Sequence, residues 1–251
     1  MSLNLNKSNG FLLSRFKENE GAFGATPLLP PTLEDTFFAI VALKYLQPEF
    51  LKEKRLKLLN FLNKALEKSQ EKIEHLFQIL KICELLEISP TEPFMTKTKE
   101  FLTHFIPLPE LPPFSLYALW NLGMFFSNKE LSLKIQEKVP RYQIKTLEDL
   151  YYLGGIDQEI WHKHYEVIIK SQNGDGGFGF YPGTTSFLEN TYYALKILHE
   201  ISSEERPVAR GLDFIRACFN GDGGFGRKPG GISYLTTTSM AIEILYLYKG
   251  F

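Results

Sequence analysis

The chain has 251 residues, of which 44% are apolar, 14% aromatic and 23% charged, with a formal net charge of −1. The apolar fraction excludes wholesale disorder, and the near-neutral charge excludes the basic surface of a nucleic-acid binder. The longest uninterrupted apolar run, residues 37–43, is far short of the roughly 20 residues that span a bilayer, and no secretory leader is visible, so a cytoplasmic protein without a transmembrane segment is expected.

In chain order, a short helical segment at 11–16 precedes a glycine-containing loop, Gly-Ala-Phe-Gly at 21–24. Residues 32–46 follow without Pro or Gly, apolar almost all round, and Pro48 ends them; such a helix is buried on several sides. Residues 52–68 differ, because Leu56, Leu59, Leu62 and Leu66 recur at three and four among Lys and Glu, as on a solvent-facing helix. Buried-type helices are expected to begin near 32, 72, 114, 147, 188 and 235. Amphipathic ones fill the gaps at about 51–68, 94–105, 129–139, 158–171 and 207–219, and the segment at 11–16 completes a second set of six. No stretch reads as a pair of β-strands.

A repeat organises these elements. Asn-Gly-Asp-Gly-Gly-Phe-Gly at 173–179 returns letter for letter at 220–226, and Pro182, Thr191 and Leu195 find Pro229, Thr238 and Ile242 at the same offset of 47. The loop at 21–24, with Pro27 and Thr36, is a weaker copy. Alternating antiparallel helices with short loops, the first pairing with the last repeat, predict a closed ring of six inner and six outer helices filling residues 1–251 as one domain. The loop glycines can turn the chain inward, Asp175 and Asp222 can bond local amides, and Phe178 and Phe225 can wedge between helices. A calcium loop would need further acidic ligands that this string lacks.

Cys83 and Cys218 stand far apart, and no pair of Cys and His has zinc-ligand spacing. His162 and His164 diverge by about 200° on a helix. No metal and no cofactor are expected.

The string from Gln172 to Phe178 resembles the Q-x-x-D-G-x-W/F repeat of squalene and oxidosqualene cyclases. With its following Pro and Thr-headed helix it also resembles the repeat of protein prenyltransferase β subunits. Both point to the α/α-toroid superfamily of terpenoid cyclases and protein prenyltransferases, and so to an all-α (α/α)6 toroid. The resemblance implies an isoprenoid or other apolar small molecule in the central cavity and, for prenyltransferase β chains, a partner subunit. It also implies a zinc whose ligands would fall at Glu189, Thr191 and Thr237, where the Cys and His are missing, which speaks against zinc-dependent protein S-prenylation. A non-catalytic ring acting as lipid carrier or protein-interaction scaffold is the alternative.

Squalene-type cyclases start their reaction with a D-x-D-D-T acid at an inner helix head. Thr32-Leu-Glu-Asp-Thr36 lies at that place, so Glu34 and Asp35 are candidate acids, with Glu148 and Asp149 as a second copy. Acids in a first helical turn also complement the helix dipole, and Thr32 with Asp35 has the form of a capping box. Paired aromatics recur beside these acids: Phe37-Phe38, Tyr151-Tyr152 and Tyr192-Tyr193. Phe38, Tyr117, Trp120, Tyr152 and Tyr193 are candidate lining residues, although core packing explains such residues too. Adjacent helical positions lie about 100° apart, which predicts at most one lumen-facing residue per pair. Arg227 and Lys228 are placed to meet a diphosphate.

Overall fold

The computed structural model describes residues 5–68, 72–105, 109–201 and 205–249. Its helices form outer–inner pairs in chain order. The first three are α1 (Leu5–Leu13) with α2 (Leu33–Leu46), α3 (Pro48–Lys68) with α4 (Ile73–Leu85), and α5 (Glu92–Thr103) with α6 (Pro113–Phe125). There follow α7 (Lys129–Lys138) with α8 (Leu147–Gly154), α9 (Glu159–Lys163) and α10 (Tyr165–Lys170) with α11 (Leu188–Glu200), and α12 (Glu205–Ala217) with α13 (Leu235–Leu247). The inner helices α2, α4, α6, α8, α11 and α13 pack side by side in that order, and α13 packs back onto α2. The result is the expected α/α toroid. No described helix is long and apolar enough to cross a membrane.

Several expectations are corrected. The first helix runs over Leu5–Leu13 rather than 11–16, because Phe16–Lys17 (β1) pairs with Ala22–Phe23 (β2) in a two-residue antiparallel ladder. A second ladder joins Phe225–Gly226 (β3) to Ser233–Tyr234 (β4). Two residues are too few to show an alternating pattern, so the sequence gives no sign of either. The outer helix expected at 158–171 is broken at His164, where ring Nδ1 and backbone nitrogen both approach Ile160 O, at 2.9 and 3.1 Å. On α3 the buried face is Leu51, Leu58, Leu62 and Leu66, whereas Leu56 is 74% exposed.

The repeat loops are built alike. In one, Asn173 Nδ2 donates to Thr184 O and Ser186 Oγ, and Asp175 Oδ1 accepts from Gly177 N at 3.0 Å and Ser186 Oγ at 2.8 Å. Asn220, Asp222, Gly224 and Ser233 repeat the pattern 47 residues on. The wedge residues Phe23, Phe178 and Phe225 are all fully buried, and each donates its backbone N–H to a threonine hydroxyl thirteen residues later: Thr36, Thr191 and Thr238. In each loop a glycine with positive φ lies against the backbone of the next outer helix. Gly21 meets Lys57 of α3, Gly176 meets Arg210 of α12, and Gly223 meets Lys7 of α1. The last loop therefore docks on the first helix as the earlier loops dock on theirs, which closes the ring.

Cys83 and Cys218 are buried, and desolvation pushes their thiols up to about 11 and about 12. Since the thiolate is the reactive form, iodoacetamide at pH 8 is expected to leave both unmodified in the native protein and to alkylate both in denaturant. Mass spectrometry reads this directly, and rapid native labelling of either would contradict the packing.

Candidate functional site

The ring encloses a chamber of about 720 Å³. Its wall follows from helix geometry. With Glu34 of α2 as position i, the lumen-facing residues are i, i+3, i+4 and i+7, Glu34, Phe37, Phe38 and Val41, and the same face continues one turn further to Lys44 and Tyr45. The first four positions span an arc of about 100°, centred on the ring axis. Both members of each aromatic pair therefore line the chamber, correcting the expectation of one. The i+3 position carries an aromatic in five inner helices, as Phe37, Phe77, Tyr117, Tyr151 and Tyr192, all in the wall.

On the α8–α11 side the tyrosines are contiguous. The Tyr151 and Tyr193 ring centroids are 5.2 Å apart, and Tyr152 lies 5.5 Å from Tyr117 and 4.9 Å from Phe114. Burial raises the hydroxyl pKa values of Tyr151, Tyr152, Tyr192 and Tyr193, so all four are neutral donors. Tyr193 donates to Glu148 Oε1 at 3.1 Å, and Tyr192 donates to Glu243 Oε2 at 2.9 Å. Glu243 is also held by Lys196 at 3.0 Å.

The structure divides the sequence-predicted residues by their helical angle. Phe38, Tyr117, Tyr152 and Tyr193 line the chamber. Trp120 does not; at i+6 on α6 it lies about 120° from the lumen-facing side, packed against the core. Glu34 and Glu148 line it, but Asp35 and Asp149, one residue on, do not. Thr32 Oγ1 accepts from Asp35 N at 3.0 Å and donates to Asp35 Oδ2 at 2.6 Å. Asp149 completes a full capping box with Thr146, each backbone N–H donating to the other's side chain at 3.0 Å. These two aspartates fix helix heads. Glu148 is different in kind: desolvation raises its pKa, an effect partly offset by the Tyr193 hydrogen bond.

Arg227 lines the chamber but is already paired, with Nε 2.5 Å from Glu189 Oε1 and its guanidinium over the Phe187 ring. Lys228 is exposed and lies outside the wall. The positions equivalent to zinc ligands serve the loops: Thr191 Oγ1 donates to Phe187 O, and Thr237 Oγ1 donates to Phe225 O. Among the described residues no three His, Cys, Asp or Glu side chains group as metal ligands would. Sequence reasoning missed Phe77, Phe114, Phe187 and Glu243. The i, i+3, i+4, i+7 face, laid over all six inner helices, would have found all but Phe187, which belongs to a loop.

A search of curated proteins finds no match to this chain. Among solved structures, Candida albicans protein geranylgeranyltransferase-I complexed with GGPP is similar, with a TM-score of 0.68 over 99% of this chain and 92% of that one, at 13% identity. That identity speaks to the fold alone. The prenyltransferase alpha-alpha toroid domain family matches residues 5–79, 141–210 and 193–250. These segments cover more than half of the sequence and include both full repeat loops and the N-terminal copy, so the chain belongs to the prenyltransferase alpha-alpha toroid domain family.

Proposed function

We propose that the chain is a prenyltransferase- or terpene-cyclase-like protein that binds an isoprenoid or similar apolar chain in the lumen, with residues 1–251 acting as one cytoplasmic toroid domain. The observation that supports this reading most is the aromatic chamber of about 720 Å³, inside the range of about 300–1,000 Å³ usual for small-molecule sites. Phenylalanine and tyrosine rings offer apolar contact along a chain while leaving few polar groups to desolvate. The geranylgeranyltransferase that shares the fold was solved with GGPP, an isoprenoid.

Mass spectrometry of lipids extracted from the purified protein is the direct test, with an isoprenoid or a long acyl chain expected. Phe38→Asp, which puts a charge in the wall, is expected to weaken farnesol binding by about 10–100-fold, the equivalent of roughly 1.5–3 kcal/mol of lost apolar burial. Unchanged affinity in a variant with unchanged melting would remove the lumen as the binding site.

A second reading, a carrier without catalysis, draws support from the cap and loop bonds that occupy Asp35, Asp149, Thr191 and Thr237. A labelled C15–C30 isoprenoid recovered unchanged after incubation would favour the carrier; a cyclised or transferred product requires an enzyme.

A further inference from the structure

We propose that the end of the ring carrying the inner-helix heads docks on an anionic lipid surface. This goes beyond the lumen reading above and does not need a ligand in the chamber. Each outer helix passes to its inner helix at this end, so the connecting loops form the rim of the chamber mouth. Loops 139–146, 179–187, 226–234 and 24–32 lead into α8, α11, α13 and α2, which are neighbours in that order around the ring. Phe180 O accepts from Leu147 N at 2.9 Å at the head of α8, and Arg227 O accepts from Leu188 N at 2.8 Å at the head of α11. These two loops thus reach across to the head of the preceding inner helix, and the arc of rim is continuous there.

Along this arc the solvent-facing side chains are apolar. Leu28, Leu29, Phe180, Tyr181, Ile232 and Tyr234 are six of the twelve large apolar or aromatic side chains that stand exposed among the described residues. Leu28 is 94% exposed and Ile232 71%, so both stand clear of the body of the chain. Clustered exposed groups of this kind mark contact surfaces. On loops rich in Pro and Gly they present separate tips rather than one flat face, and tips enter lipid without needing matched pockets. Phe and Tyr rings suit the boundary between head groups and acyl chains. Phe180 also lines the chamber, so apolar surface leads from the rim into the lumen.

Charge selects the kind of lipid. The four loops hold Arg141, Lys145, Arg227 and Lys228 and no Asp or Glu, although the whole chain has 29 acidic residues against 28 basic ones. Arg227 is committed to Glu189, whereas Arg141, Lys145 and Lys228 are exposed. The acids at the helix heads serve elsewhere: Glu34, Glu148 and Glu189 line the chamber, and Asp35 and Asp149 hold caps. Each Lys or Arg near an anionic membrane surface adds about fivefold in affinity. A lipid surface held here would deliver an apolar chain to the mouth without passage through water.

Co-sedimentation with vesicles tests this. Vesicles of phosphatidylcholine with phosphatidylglycerol are expected to bind the chain about tenfold or more tightly than phosphatidylcholine alone, with the advantage fading at high salt. Leu28→Asp/Ile232→Asp should weaken that binding by about tenfold or more, and Arg141→Gln/Lys145→Gln/Lys228→Gln should remove the preference for anionic vesicles. Neither variant should change the melting temperature or the affinity for farnesol in solution. No binding to either vesicle overturns the proposal and leaves the arc to a protein partner. Binding that survives Leu28→Asp/Ile232→Asp moves the contact off the arc and overturns it too. Farnesol that fails to bind while vesicles still do counts against the lumen reading alone.

Discussion

Phe225→Ala is expected to lower the unfolding free energy by about 3–5 kcal/mol, the usual cost of removing a fully buried Phe side chain. Phe225 is fully buried and its ring centroid lies 5.1 Å from that of Phe219. Its backbone N–H and C=O bond Thr238 and Thr237 at the head of α13, so the side chain fills the corner where α12 turns inward. The surroundings cannot collapse into the space, because the loop is pinned by Asn220 and Asp222 and the inner helix by its ring neighbours. Urea denaturation checks this, and a loss under about 1 kcal/mol would show that the wedge does not hold the corner. Phe178→Ala should cost a similar amount, since Phe178 is equally buried and bonds Thr191 in the same way.

Gly223→Ala should be comparably damaging for a different reason. The glycine has φ of +89°, and an added Cβ would sit 2.2 Å from Lys7 O and 2.4 Å from Lys7 C. The left-handed backbone costs an alanine roughly 1–2 kcal/mol and the overlap a further 1–3 kcal/mol or so, for a total of about 2–5 kcal/mol. A main-chain clash cannot be relieved by a rotamer change; α1 must move. That movement would also break the 2.8 Å bond from Ser8 Oγ to Gly223 O. The expected signature is a lower melting temperature together with faster hydrogen exchange in residues 5–13. Gly221→Ala is the control, because nothing lies within 4 Å of its added Cβ. Equal melting of the two variants would remove the clash as the cause.

The ring could be read from the sequence because the same physical problem is solved twice in the same letters. A turn onto an inner helix needs a backbone without Cβ, a local acceptor and an apolar wedge, and residues 173–179 and 220–226 supply all three. The weak copy at 21–24 keeps only the glycines and Phe23, yet makes the same bond to its threonine, Thr36. Inner helices were legible from being apolar all round. Their lumen-facing side was less so, because an aromatic that lines a chamber and one that fills a core obey the same pattern. Trp120 and Tyr117 sit three residues apart on α6 and differ only in angle. Glu148 and Asp149 illustrate the same limit: both are acids of a first turn, and one step of 100° makes the second a cap and the first part of the wall. The pairing of Arg227 with Glu189 joins residues 38 positions apart and leaves no local trace.

The contact between Gly223 and α1 has a kinetic consequence. Five of the ring's six joints link neighbouring units of the chain, and Arg210 reaches Asn173 across only 37 residues. The sixth makes the same kind of joint across 215 residues. Loop-closure entropy grows with the logarithm of that span, so the long joint costs about 1.5 kcal/mol more than a short one of equal contact energy. The helices are therefore expected to assemble first as an open arc, from any starting point, with the seam closing last on folding and parting first on unfolding.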